Sequence, residues 1–247
     1  MRIVTKINTA LGALIGLSVL LNLGALEFTV KPSFADLEGQ TARDNHGRVV
    51  EELTRLQEQA RGSARDYAVW DDTYAFLNGN QPDYLGKNVN AESLRALHTN
   101  FFAIVDNAGK VIVNEGYDYA GADPVEARMF EPAEARISDA LLRAIAGPEP
   151  GAGLLATGLG LAAVGFAPVL KSDSSGTSPG VLLLGSVIDV GSVRNTTKVD
   201  FRIVPASASG SAATIAETAD FIQTSTPLKG LDGAQLGELI STTPKSI

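Results

Sequence analysis

The chain has 247 residues, a net charge of −8 and no cysteine. The lack of cysteine excludes a disulfide framework, a thiolate metal site and a cysteine nucleophile. The acidic balance argues against a nucleic-acid partner, because a negative surface repels phosphate. The two histidines, His46 and His98, lie far apart in the sequence, so we expect no histidine-rich metal site and no cofactor.

The first predicted element is a membrane anchor. The run from Ile7 to Leu26 carries no charge and is bounded by Lys6 and Glu27. A helix of this length spans about 30 Å, the thickness of a hydrocarbon core. By the positive-inside rule, residues 1–6 are a cytoplasmic tail, 7–30 a signal anchor and 31–247 an exported domain. A cleaved signal peptide is the alternative, although its apolar region is usually shorter.

A long helix is predicted to follow, from Ser33 to about Arg61, continuous with or close to the membrane helix. Its apolar residues are Phe34, Leu37, Val49, Leu53, Leu56 and Ala60. The later ones, from Val49 on, step by four, three and four, as one helix face requires. Because this face is narrow, the helix is a candidate surface for a homodimer. Gly62-Ser63 is a candidate break before a second helix from Ala64 to Leu77, and His46 is predicted to lie in solvent.

The remaining pattern predicts an α+β fold with an antiparallel sheet of about five strands and flanking helices. A short helix from Ala91 to Leu97 leads into a hairpin around an Asp-Asn-Ala-Gly turn, and a helix from Pro132 to Ala146 follows. The predicted strands are Phe101–Val105, Lys110–Asn114, Leu154–Thr157, Ala162–Leu170 and Val181–Val190. Farther on, the sequence indicates a strand at Phe201–Val204, a loop at Ser207–Thr214, and a Gly230–Gly233 turn before a strand that ends near Ser241. This order of elements is that of PAS-like and Cache-like sensor folds.

The segment from Arg65 to Leu77 holds the candidate site. On a continuous helix, Tyr67, Trp70 and Tyr74 share one face with Leu77, and Asp71 lies at its edge. Asp72 lies about 100° further round. An aromatic stripe beside a carboxylate can hold a cation or an amine. The alternative is that the stripe belongs to the core and the carboxylates bind neighbouring elements.

This segment resembles a known family. The pattern Phe34-x-x-Leu37-Glu38 and the run from Asp66 to Phe76, D-x-A-x-W-D-D-T-Y-x-F, are similar to the CHASE4 domain, best between residues 34 and 189. One departure is Tyr67, where the family usually has tryptophan. The resemblance implies an extracytoplasmic sensory domain of a bacterial membrane receptor, held in the cytoplasmic membrane. It also implies that ligand binding or signal coupling involves Tyr67, Trp70, Asp71, Asp72 and Tyr74.

The resulting hypothesis is a non-catalytic input module that senses a small molecule or a physical cue. Members of this family precede a second membrane helix and a cytoplasmic output domain, so we expect this chain to stop short of both. A membrane-tethered periplasmic hydrolase and a structural envelope protein are the alternatives. The hydrolase lacks an evident nucleophile–base pair, since adjacent helical carboxylates such as Asp71 and Asp72 diverge.

Overall fold

The computed structural model describes residues 2–130, 136–205 and 214–245. Its N-terminal part is one unbroken helical rod made of α1 (Arg2–Ala25), a π-helical turn (Leu26–Val30) and α2 (Lys31–Ala68). The backbone N–H of Lys31 donates to the carbonyl of Leu26, five residues back. Pro32 has no N–H to give to the preceding turn, and the wider π turn lets the helix pass through it. The predicted continuity of the two helices is confirmed.

One helix in the described part of the chain is long and apolar enough to cross a membrane. It runs from Ile3 to Ala68 in total, and none of its most apolar window is buried. The large aliphatic side chains of α1 are exposed along its whole length. This is the surface that a lipid-embedded helix presents.

The predicted break at Gly62-Ser63 is wrong. The structure continues α2 through both residues to Ala68. A glycine inside a helix costs only about 1 kcal/mol, and the buried residues Ala60 and Ala64 hold the helix to the sheet on either side of it. The helix ends where Val69 forms a parallel bridge with Leu170. After Trp70 the chain enters a separate helix, α3 (Asp71–Leu77).

The main sheet has six antiparallel strands in the order β3-β2-β1-β6-β5-β4. Its central pair, β1 and β6, aligns Phe102 with Leu184 and Ile104 with Leu182. The predicted hairpin is confirmed as β1 and β2. The strands are β1 (Phe101–Asp106), β2 (Val111–Asp118), β3 (Val125–Glu126), β4 (Gly151–Thr157), β5 (Gly160–Pro168) and β6 (Gly180–Val187).

Alternate residues of this sheet face two separate cores. One face, with Phe102, Ile104 and Leu182, packs against the last turns of α2 and the short helices that follow. These helices are α3, α4 (Tyr84–Asn88) and α5 (Ala91–Ala96). The other face packs against the segment that ends in α6 (Asp139–Ile145).

Helix α6 is shorter than the predicted Pro132–Ala146 helix. Ser138 has an extended backbone, and its side-chain oxygen accepts from the N–H of Leu141, so it caps the helix and fixes the start at Asp139. The beginning of the predicted helix, residues 132–135, lies outside the described residues.

A second, four-stranded sheet follows, with the order β7-β10-β9-β8. Helix α7 (Val190–Thr197) joins it to the main sheet. Its strands are β7 (Asp200–Pro205), β8 (Thr214–Glu217), β9 (Phe221–Lys229) and β10 (Gln235–Pro244). The sequence indicates β7 and most of β10, up to Ser241, but misses β8 and β9. Most of the predicted Ser207–Thr214 loop lies outside the described residues. Val49 and Leu53 of α2 pack against this sheet, so α2 contacts both sheets.

Candidate functional site

The five predicted site residues gather around the junction between α2 and α3. Tyr67 lies in the last turn of α2, and Asp71, Asp72 and Tyr74 lie in α3. Trp70 between them is extended, with φ −143° and ψ 132°. The prediction that one continuous helix face carries the aromatic residues is therefore wrong, because α2 ends at Ala68. The residues gather nevertheless, since the hydroxyl of Thr73 in α3 donates to the carbonyl of Tyr67 in α2 at 2.7 Å.

The aromatic side of this junction is packed into the main sheet. Tyr67 meets Trp70 edge to face, with ring centres 6.0 Å apart, and contacts Phe102 of β1 at 6.3 Å. Trp70 lies 6.1 Å from Tyr84. Tyr67 and Trp70 are only partly buried, so they form the rim of a hydrophobic core. The alternative of a core role thus describes part of what these two rings do.

Tyr84 is the buried centre of this aromatic cluster. Its ring stacks on Phe76 at 4.9 Å. Its hydroxyl lies 2.8 Å from that of Thr73, which donates to the carbonyl of Tyr67 at 2.7 Å. Burial raises the pKa of Tyr84 to about 12, so the phenol stays protonated. The chain of hydroxyls ties α4 to α3 and α3 to the last turn of α2.

The two carboxylates point to different partners. Asp71 accepts the backbone N–H of Ser172 at 3.0 Å, and its own N–H donates to the hydroxyl oxygen of Ser172 at 3.2 Å. Asp72 accepts from the amide of Gln81 at 3.3 Å. An acid/base pair would need both carboxylates to face one reacting atom. Instead, the two hydrogen bonds between Asp71 and Ser172 connect α3 to the loop that follows β5.

That loop, residues 169–179, covers the outer part of the site. The Nζ of Lys171 lies 5.7 Å from the ring centre of Tyr74. A side chain at Gly176 would press against the Tyr74 ring, 3.1 Å from its hydroxyl. The sequence predicted only a surface turn here. The loop in fact contacts Asp71 and Tyr74, two of the five predicted site residues.

Two cavities lie along α2. The α7 cavity, of about 370 Å³, opens between α2, α7 and the segment that joins α5 to β1. The proline cavity, of about 540 Å³, lies between the end of α2, the end of β5 and Pro148-Glu149-Pro150. Volumes of this size suit small-molecule ligands. The proline cavity includes Arg65, Val69 and Ser174, which places it beside the α2–α3 junction.

His46 is not in solvent, contrary to the prediction. Only 7% of it is exposed, and its Nδ1 and Nε2 lie 2.8 Å and 2.7 Å from the hydroxyls of Ser241 and Thr226. Burial lowers the pKa of His46. The sequence held a signal for this position, because His46 lies on the same helix face as Val49 and Leu53. His98, by contrast, is exposed and lines the α7 cavity as the chain enters β1.

The comparisons with known proteins agree with this architecture. The CHASE4 domain family matches residues 53–204. The methanogenesis regulatory histidine kinase FilI of Methanothrix harundinacea (strain 6Ac) is 28% identical over 150 residues, which are 58% of this chain and 16% of the kinase. The chain thus matches only a small part of that relative.

Two solved structures share the fold. One is a domain of a sensory box/GGDEF family protein from Vibrio parahaemolyticus, with a TM-score of 0.55 and 12% identity over 84% of this chain and 97% of that one. The other is the extracellular domain of the histidine kinase vpHK1S-Z8, with a TM-score of 0.54 and 12% identity over 85% and 96% of the two chains. The family match covers more than half of the chain and includes the Trp70-Asp71-Asp72 motif. The chain therefore belongs to the CHASE4 family of extracytoplasmic sensory domains.

Proposed function

We propose that this chain is the sensory input module of a membrane receptor, anchored in the cytoplasmic membrane by α1 with residues 31–247 outside. The observation that carries the proposal is the unbroken helix from Arg2 to Ala68. It joins the apolar segment to the predicted site and packs against both sheets on the way. A rigid helix of about 100 Å, at 1.5 Å per residue, can carry a displacement from the site to the membrane.

The signal enters this helix at the α2–α3 junction. The end of α2 is attached to the chain after β5 by the N–H of Leu170, which donates to the carbonyl of Ala68 at 3.0 Å. Asp71 and Ser172 form the second attachment, three residues beyond Ala68 and two residues beyond Leu170. A ligand or cue that moves the loop after β5 would therefore pull on the last turn of α2. Tyr67, Trp70 and Tyr74 border this point, and Asp72 holds α3 to Gln81, so these residues couple the stimulus to the helix.

The stimulus we propose is a small molecule, and the proline cavity beside the junction has room for one. Two copies of the chain would associate along the start of α2. Apolar side chains are exposed on consecutive turns from the π-helical turn, where Phe28 is 83% exposed, to Leu37 of α2. Catalysis would belong to an output domain such as that of a histidine kinase, and the input module would regulate it without a catalytic centre of its own.

Cysteine cross-linking in membranes tests the coupling, because the natural chain has no cysteine to interfere. A single Leu37→Cys substitution reports how closely two copies approach at the start of α2. We expect Asp71→Ala to change the cross-linking yield, since it removes the acceptor for Ser172. Asp71→Asn keeps an acceptor oxygen and should behave like the parent chain.

Asp83→Ala is the control, since Asp83 is exposed and lies 3.8 Å from Lys87 on its own helix. It should leave the yield unchanged. If Asp71→Asn alters the yield as much as Asp71→Ala, the charge rather than the hydrogen bond matters, which would favour direct ligand contact. Identical yields in all variants would contradict the proposed route.

A further inference from the structure

The α7 cavity is a second candidate ligand site, distinct from the α2–α3 junction. Three consecutive turns of α2 form one wall, and α7 and the segment Leu97–Thr99 form the others. Its floor is apolar and buried, with Ala60, Leu184 and Val193 each less than 10% exposed. The rim carries the polar groups. They include Glu52, Arg55, Gln59, Asp189, Ser192 and Thr196.

The charges on this rim favour a cation. Among the residues that the structure describes, Arg55 is the one lysine or arginine that lines the cavity, and Glu52 already neutralises it. Its Nε and Nη2 donate to the two carboxylate oxygens of Glu52 at 2.8 Å and 2.6 Å. Asp189 uses one carboxylate oxygen to accept the N–H of Gly191 at 2.8 Å. The rim therefore holds two carboxylates against one guanidinium, and an anionic ligand would meet net negative charge.

His98, at the mouth of the cavity, has an unusual backbone conformation. His98 has a φ of 54°, in the left-handed region that residues other than glycine rarely adopt. The hydroxyl of Ser186 donates to the carbonyl of His98 at 2.8 Å, and that of the buried Thr99 donates to the carbonyl of Gly185 at 2.7 Å. These bonds fix the histidine at the cavity edge. Strained positions that the surrounding structure enforces concentrate at ligand sites.

We propose that the α7 cavity binds a small solute that carries an ammonium group and no net negative charge. The ammonium lies beside Asp189, and the hydroxyl and amide groups of the rim bind the remaining polar atoms. Such a ligand touches α2 and α7 together, and α7 is the link between the main sheet and the second sheet. The bound ligand would therefore link α2, the main sheet and the second sheet. This binding does not depend on whether the α2–α3 junction transmits a signal.

Tethered probes test the site without knowledge of the natural ligand. Ser192→Cys places a single thiol on the exposed rim of the full chain in detergent. Methanethiosulfonate reagents then attach a 2-aminoethyl, 2-hydroxyethyl or 2-sulfonatoethyl group of similar size through a disulfide. We expect the aminoethyl adduct to unfold about 2–4 °C above the hydroxyethyl adduct, and the sulfonatoethyl adduct to unfold at the lowest temperature. Thr196→Cys gives a second attachment point, should Ser192→Cys not fold, and the same ranking is expected there.

Two variants make the result specific. Asp189→Asn keeps the cap of α7, because asparagine accepts the same backbone bond, and should abolish the advantage of the aminoethyl group. Ala156→Cys, on an exposed position of β4, should show no ranking among the three adducts. The proposal fails if the aminoethyl adduct is no more stable than the sulfonatoethyl adduct, or if its advantage survives Asp189→Asn. Neither outcome would bear on the coupling tested by cross-linking at position 37.

Discussion

Helix α2 packs against the two sheets in different ways. Near its C-terminal end, Ala60, Ala64 and Ala68 let the backbone of α2 lie directly on β5, where Gly165 has no room for a side chain beside the carbonyl of Ala60. Closer to α1, the helix meets the second sheet through larger side chains, Val49 and Leu53, and through the polar contacts of His46.

The difference indicates where the helix is fixed and where it can adjust. Backbone-to-backbone packing tolerates almost no sliding, because atoms already in contact leave no free volume. Hydroxyl contacts to an imidazole can exchange partners within the same site at modest cost, since each is worth about 1 kcal/mol. We therefore infer that the main sheet holds α2 firmly near the junction. The contact with the second sheet then sets how far a displacement travels towards α1.

Gly165→Ala should give the largest effect. The new Cβ would overlap the carbonyl of Ala60, and the helix or the strand would have to move. Overpacking of this kind costs about 1–3 kcal/mol and sometimes more, and a clash with main chain belongs at the upper end. Denaturant unfolding of the chain in detergent, followed by tryptophan fluorescence of Trp70, measures it.

Gly62→Ala is the matched control, because nothing lies within 4 Å of a Cβ added there. In an exposed helix this change should stabilise the chain by up to about 1 kcal/mol. If the free energy of unfolding falls for Gly165→Ala and rises for Gly62→Ala, the result supports tight packing at the main sheet. A Gly165→Ala variant as stable as the parent would show that α2 can move away from β5. The contact with the main sheet would then be adjustable and not fixed.

Leu53→Ala probes the contact with the second sheet and should rank next. Leu53 is only 3% exposed and packs with Val49 against Phe201 and Leu239. Truncation of a buried leucine costs about 2–5 kcal/mol, and the lower end applies where neighbours can close the gap. If this interface adjusts as we infer, the loss should stay near 2 kcal/mol. Val50→Ala, at a 37% exposed position of the same helix outside the proposed contact between two copies, should change stability by less than about 0.5 kcal/mol.

The sequence predicted the fold best where local patterns were strong. Helix α1 follows from an uninterrupted apolar run, the start of α2 from helical periodicity and the β1–β2 hairpin from a clear turn. The end of α2 did not follow, because Gly62-Ser63 is a stronger local break signal than Val69-Trp70. What ends the helix is the bridge from Val69 to Leu170, a contact across about a hundred residues that no local pattern contains.

The sequence motif predicts a candidate site, which stays a prediction, but it does not predict how these residues are arranged. The motif includes Tyr67, Trp70, Asp71 and Tyr74, and the structure places all four at the α2–α3 junction. The residues that they contact, Ser172 and Tyr84, lie outside the Asp66–Phe76 motif. Ser172 belongs to a polar loop without any apolar pattern, so only the fold could place it against Asp71.

The last prediction concerns pH and follows from the burial of His46. Burial lowers the pKa of His46 in the folded chain, whereas in the unfolded chain the imidazole titrates at about pH 6.5. Below that pH the unfolded state binds a proton that the folded state resists, so stability should fall as the pH drops towards the folded pKa. Above about pH 6.5 it should be constant. For one proton the slope cannot exceed about 1.4 kcal/mol per pH unit. Urea unfolding between pH 5 and 7.5 measures the slope, with His46→Gln as the control, because glutamine can bond to the hydroxyls of Ser241 and Thr226 but does not titrate. The difference between the two curves removes the contribution of the carboxylates. If the parent and the variant lose stability in parallel, then His46 does not hold α2 to the second sheet in its neutral form, and the adjustable contact must lie elsewhere on that interface.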